Sequence, residues 1–236
     1  MVDSPAEDDL NPHTLPMLDV LPAKVVRMLR RHYYAGVKEA EVRFKYHAAD
    51  EDSVTGALGE RLIEPEIFIG TEGQVFRWST FYHKLRGRGP NAPERKIGAD
   101  GIFQLEVLDR RQRFILRKGL LFQAKIDWGG RDGRLLDQAQ DLVAQSRSAI
   151  VIDYSSNGYK AIAAMDVISA NGDRTQTRPG ADKPLAEVLG DEFVGCMRGD
   201  RGMYWEPQRE KLVVDGTRFT DFVPADLVAT RIQRLQ

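Results

Sequence analysis

The stretch Gly119-Leu-Leu-Phe-Gln-Ala-Lys-Ile126 limits the fold more than any other. Strand side chains alternate between faces, so Leu120, Phe122, Ala124 and Ile126 share one side while Gln123 and Lys125 project together from the other. An apolar back of that kind has to be covered by helices, which predicts an α/β chain with a central mixed β-sheet flanked by helices.

Neighbouring segments agree with this. Residues 97–108 and 119–126 read as two strands of a meander, separated by Asp109, Arg110, Arg111 and Gln112, with a further short apolar run at 114–116. Residues 74–85 are aromatic and β-prone, and a Gly/Pro-rich loop follows them. After Gly129-Gly130, Leu135, Ala139, Leu142 and Val143 have helical spacing, and 149–154 is a compact apolar run expected to be a buried strand. Residues 159–168 continue the sheet or pack beside it.

Upstream, Val25, Val26, Leu29 and Tyr33 predict an amphipathic helix over 22–40. Asp52 and Ser53 are good N-cap residues for a second helix running through Glu60. Leu185, Val188, Leu189, Phe193 and Val194 fall in helical register, so the C-terminal part is expected to be α-rich. Residues 1–19 lack periodicity and read as a flexible N-terminal arm, a contact arm for a partner protein, with 20–236 forming a single domain.

Composition removes several function classes. With 34 basic against 35 acidic residues, attraction to a polyanion has to come from local clustering. Lys84, Arg86, Arg88, Arg95 and Lys96 form such a cluster around the Gly/Pro loop, a strip that either tracks a phosphate backbone or is simply solvated. Cys196 is the only cysteine, which excludes a multi-thiolate zinc site and fits a reducing compartment. Cys196 itself reads as a small core residue. His13, His32, His47 and His83 have no metal-ligand spacing, and no phosphate loop ending in Lys-Ser/Thr is present. An acidic, proline-punctuated start and the lack of a long apolar run predict a cytoplasmic protein without membrane partners.

In Gly98-Ala-Asp-Gly101, Asp100 sits between small residues, where a carboxylate can approach a ligand without crowding, although Asp-Gly is also a turn signal. If the strands around Asp100 and Gln123 are adjacent, a carboxylate, an amide oxygen and an ammonium meet at one point. The two oxygens are hard donors suited to Mg²⁺, with Mn²⁺ as a substitute, and the lysine is placed to orient or deprotonate a water. Phosphodiester hydrolysis needs that set.

Asp100 followed by Gln123-Ala-Lys125 on an apolar strand resembles the PD-(D/E)XK, or restriction-endonuclease-like, nuclease superfamily, in particular its Mrr-type and antiviral-defence members with a QxK variant. The resemblance implies a core of helix, three-stranded meander, helix and further strand over about residues 52–168. It implies that Asp100 and Gln123 bind Mg²⁺, that Lys125 serves the water, and that an acid from a preceding helix completes the catalytic and metal site. Glu60 is the candidate for that acid, with Glu51, Asp52 and Glu64 as competitors. Gln138 matches the polar residue that such proteins carry on the next helix, at the nucleic-acid side. The implied activity is a Mg-dependent endonuclease acting on DNA, the effector of a prokaryotic antiviral system with a sensor or regulatory partner, and a homodimer if both strands are cut. An RNase, or an inactive nuclease fold serving as a binding or assembly subunit, is the alternative. Gln123 departs from the usual acid, and an uncharged amide holds a cation more weakly. That makes the helix acid more necessary.

Overall fold

The computed structural model describes Met17 and residues 20–85 and 97–236. Twelve strands and five α-helices longer than three residues are found among them, and no helix there is long and apolar enough to cross a membrane. The main sheet runs β1 (Glu64–Thr71), β2 (Gln74–Lys84), β12 (Val223–Arg234), β3 (Ile97–Leu108), β4 (Phe114–Ile126), β5 (Ile150–Tyr154), β6 (Lys160–Ala163), β7 (Asp182–Pro184), with β8 (Asp200–Arg201) against β4. The sheet is mixed, because β12 runs parallel to β3 and antiparallel to β2, and β4 is parallel to β5. A separate small sheet contains β9 (Tyr204–Glu206), β10 (Lys211–Val214) and β11 (Arg218–Thr220).

Helices cover both faces, as the apolar strand pattern predicts. On one face α1 (Ala23–Val42) buries Val25, Val26, Leu29, Tyr33, Val37 and Ala40, a spacing of three and four residues that keeps them on a single stripe. Burying each of the larger ones stabilises the fold by roughly 1.5–3 kcal/mol. Beside it, after the single turn α2 (Phe44–His47), lies α3 (Glu51–Arg61). The opposite face is covered by α4 (Gly133–Gln145), α5 (Ala164–Ser169) and the small sheet, around Leu121, Leu135, Leu142, Val151 and Trp205. A short helical turn at Leu185–Glu187 leads into a π-helix at Val188–Phe193 that packs on α1.

Several expectations are corrected. The three-stranded meander is interrupted, because β12 lies between β2 and β3. Its place is fixed by polar contacts as well as by apolar packing: the Thr230 hydroxyl is 2.9 Å from both the Tyr33 hydroxyl and Thr80 Oγ1, tying α1 to the middle of the sheet. The C-terminal part is not α-rich, since β8 to β12 fill most of 200–234. The apolar run at 114–116 belongs to one continuous β4, and β1 forms at the sheet edge without an expectation for it. α3 begins earlier than read, because Asp50 rather than Asp52 or Ser53 caps it, accepting the Ser53 N–H at 2.8 Å.

Among the described residues, Glu106 and Lys118 are charged side chains that are each only 1% exposed. Glu106 accepts from Arg117 Nε at 3.0 Å, from Arg231 Nε and Nη2 at 2.8 and 2.7 Å, and from Gln104 Nε2 at 2.9 Å. Each of its oxygens is bonded, which is what allows a carboxylate to stay 1% exposed.

Candidate active site

The ladder between β3 and β4 begins at Gly101↔Phe122, and on its open side the Asp100 side chain takes over. Asp100 Oδ2 accepts the backbone N–H of Ala124 at 2.7 Å and a hydrogen bond from Gln123 Nε2. Asp100 therefore lies in β3 rather than in a turn. Two strands that part here leave room for a carboxylate where a main-chain carbonyl would otherwise stand.

Lys125 follows two residues after Gln123. Its Nζ is 3.7 Å from Glu51 Oε1 on the first turn of α3 and 3.5 Å from Asp132 Oδ2 at the start of α4. Asp132 is also the N-cap of α4, accepting the Leu135 N–H at 2.9 Å. Desolvation pushes the Asp132 carboxyl up, but the Leu135 N–H and the lysine charge more than reverse this and leave it below the ordinary range. The ammonium is thus held between the N-termini of two helices on opposite faces of the sheet.

Asp100 experiences the opposite balance. Burial is the largest influence and raises its pKa to about 6, against the lowering effect of the Ala124 N–H; Glu51 and Asp52 raise it further and Lys125 opposes them. Burial and two neighbouring acids thus favour the protonated form of Asp100 above the usual carboxylate range.

Gln123 is buried at 2% exposure, so β4 is covered on both faces rather than presenting Gln123 to solvent. Its nitrogen is given to Asp100 and its carbonyl oxygen is the end that remains suited to a cation. Glu60 is exposed and lies nine residues along α3 from Glu51, about 13 Å along the helix axis. Glu51, not Glu60, is the α3 acid beside Lys125.

Gln138 is partly buried on α4, with its Oε1 shielded from solvent and unbonded. Lys84 ends β2 and its Nζ lies over Gly56 of α3. Arg86, Arg88, Arg95 and Lys96 lie outside the described residues, as does most of the N-terminal arm.

Residues missed by the sequence reading complete the surroundings. Tyr82 on β2 packs its ring on Gly59 of α3 and donates its hydroxyl to Asp226 Oδ1 at 2.6 Å. Asp226 is buried on β12, paired with Gly101, one residue from Asp100. The Tyr154 hydroxyl is buried 3.3 Å from Thr55 Oγ1; burial raises its pKa, and the charges of Asp100 and Asp226 add to the rise. Asp132 did carry a signal, since Asp-Gly-Arg before an apolar helical repeat is an N-cap pattern. Asp226 carried none.

Hard oxygen donors are present in Asp100 and Gln123, and Mg²⁺ needs few protein ligands because it keeps several waters. Among the described residues, no group of three or more His, Cys, Asp or Glu side chains is close enough to hold a metal by itself. Compared with protein-family models, with curated proteins and with solved structures, the chain matches none.

Proposed function

We propose that this α/β protein is a Mg²⁺-dependent nuclease of the restriction-endonuclease-like kind that hydrolyses phosphodiester bonds of DNA. The observation supporting it most directly is the Asp100 carboxylate bonded by the Gln123 amide and the Ala124 N–H, with Lys125 next on the same strand between Glu51 and Asp132. A bound Mg²⁺ would be held by Asp100 and the Gln123 carbonyl, with Glu51 as the nearest further acid, and would stabilise charge developing on the phosphate.

The chain's own groups then have defined tasks. Lys125 orients the attacking water and stabilises the hydroxide formed as a proton passes from that water to solvent. Oxygen bonds to phosphorus, the bond to the bridging oxygen breaks, and the departing alkoxide takes a proton from solvent. Glu51 and Asp132 hold the ammonium in place. Purified protein with Mg²⁺ is expected to nick plasmid DNA, and Lys125→Ala to slow this by about 10²–10³-fold, the usual worth of one positioned donor that stabilises developing charge. Equal nicking by the variant removes the reading.

A second reading, a nuclease fold that binds nucleic acid without cutting it, is favoured by the Gln123 nitrogen facing Asp100 and by the lack of a three-acid group among the described residues. Calorimetry separates the two. Mg²⁺ or Mn²⁺ binding that Asp100→Ala abolishes supports catalysis, and no binding supports the second reading.

A further inference from the structure

The loop at 129–134, Gly-Gly-Arg-Asp-Gly-Arg, joins β4 to α4 and carries Asp132, whose carboxylate meets Lys125. Arg131 and Arg134 on either side of Asp132 are exposed. Neither guanidinium has a hydrogen bond or ion pair with any described residue. Other arginines among the described residues are paired with carboxylates, as Arg30, Arg113, Arg174, Arg178 and Arg198 are. Arg131 and Arg134 flank Asp132 in sequence, Arg131 stands opposite Asp173 in a β-bridge, and both arginines are exposed. Asp132 is taken by Lys125 and the α4 N-terminus, and Asp173 by the Thr175 N–H at 2.9 Å and its hydroxyl at 2.8 Å.

The loop is also fixed before any ligand arrives. Asp132 N donates to Gly172 O at 2.8 Å, Arg174 N donates to Gly130 O at 3.1 Å, and Arg131 bridges Asp173. Gly172, at φ 70°, lies so close to the loop that a Cβ there would collide with Asp132 O. At Gly130 and Gly133 a Cβ would meet nothing within 4 Å, so the main chain is open to a ligand from outside. Because the main chain is already fixed, binding has to order only the two side chains and not the loop itself, which lowers the cost of binding.

We propose that this loop grips the phosphodiester backbone of a nucleic acid, with Arg131 and Arg134 contacting phosphates that flank the bond presented to Lys125. The assignment rests on the nuclease reading of the neighbouring site and adds to it the direction of the strand, across the start of α4. Phosphate contacts of this kind position a chain without reading its bases, so the grip is insensitive to sequence.

The test measures fluorescence anisotropy of labelled duplex DNA, single-stranded DNA and single-stranded RNA of one sequence, in EDTA, over a salt series. In the Arg131→Ala/Arg134→Ala protein we expect about tenfold weaker binding at low salt. The slope of log Kd against log salt should flatten by about 1.8 for duplex and about 1.4 for single strands, the values for two lost phosphate contacts. The three probes tell which nucleic acid the loop accepts. Arg110→Ala/Arg111→Ala, at the other end of β3 about 30 Å away, is the control and should bind like wild type.

Unchanged affinity and slope in the loop variant, an equal loss in the control, or no binding of any probe overturns the proposal. Plasmid nicking on the same preparations keeps the two readings apart. Wild type that binds through Arg131 and Arg134 but never nicks loses the hydrolytic reading alone. Nicking with unchanged Kd in the loop variant loses the grip alone.

Discussion

The Asp100 carboxylate accepts the backbone N–H of Ala124 at 2.7 Å, so a side chain of β3 completes the hydrogen bonding of β4 at the point where their ladder stops. Strand separation and acid placement are therefore one feature. Whatever alters the charge on Asp100 also alters how the two strands are joined.

The first prediction concerns pH. An acid raised to about 6 from 3.8 binds its proton more tightly in the folded state, so the contribution of Asp100 to stability is full below about pH 4 and is lost as pH rises to about 6, by up to about 3 kcal/mol. Asp100→Asn should raise Tm relative to wild type at pH 8 and give no gain at pH 4. Activity should run the other way in wild type, rising through pH 6 as the carboxylate ionises. Equal Tm differences at both pH values contradict the raised titration.

The two helix acids separate cleanly. Glu51→Gln should lower the Asp100 pKa, because Glu51 is one of the charges that raise it, and should cut nuclease activity at least about tenfold by freeing Lys125 from one of its anchors. Glu60→Gln should leave the Asp100 titration unmoved. Carbon-13 NMR of the carboxyl groups in both variants reads the difference.

Gly59 is predicted to tolerate no side chain. A methyl group there would run into the Tyr82 ring, so Gly59→Ala should destabilise by about 1–3 kcal/mol in urea denaturation. The same change in a Tyr82→Ala background should cost much less, since the obstructing ring is gone. Additive losses would show that the packing of α3 on β2 is not the cause.

Glu106→Ala should be among the most damaging substitutions. Removing the carboxylate leaves Arg117, Gln104 and Arg231 without their common partner inside the sheet, worth about 3 kcal/mol or more. Equilibrium denaturation measures it, and Glu106→Gln should recover only part of the loss.

The strand carrying Gln123 and Lys125 was legible because alternation is a local property, and Asp100 was legible because small neighbours mark a place of close approach. α1 and α4 were legible for the same reason, their apolar residues repeating at helical spacing. What failed was non-local. β12 reads as irregular because its burial on both faces erases alternation and because Pro224 argues against a central strand; only its irregular start, where Pro224 pairs with Ala99, accommodates that proline. Its partners in β2 and β3 lie more than a hundred residues away, and no local pattern encodes them. Glu51 was passed over in favour of Glu60 because the choice depends on where Asp50 caps the helix. The cap at Asp50 puts Glu51 in the first turn of α3, beside Lys125.

The position of β12 also sets an order in time. Until residues 223–234 have been made, β2 and β3 each present an unpaired edge, and Asp226 is missing from beside Gly101. A nascent chain thus carries Asp100, Gln123 and Lys125 on an unfinished sheet. The surroundings of Asp100 are complete only when this strand occupies the gap between β2 and β3.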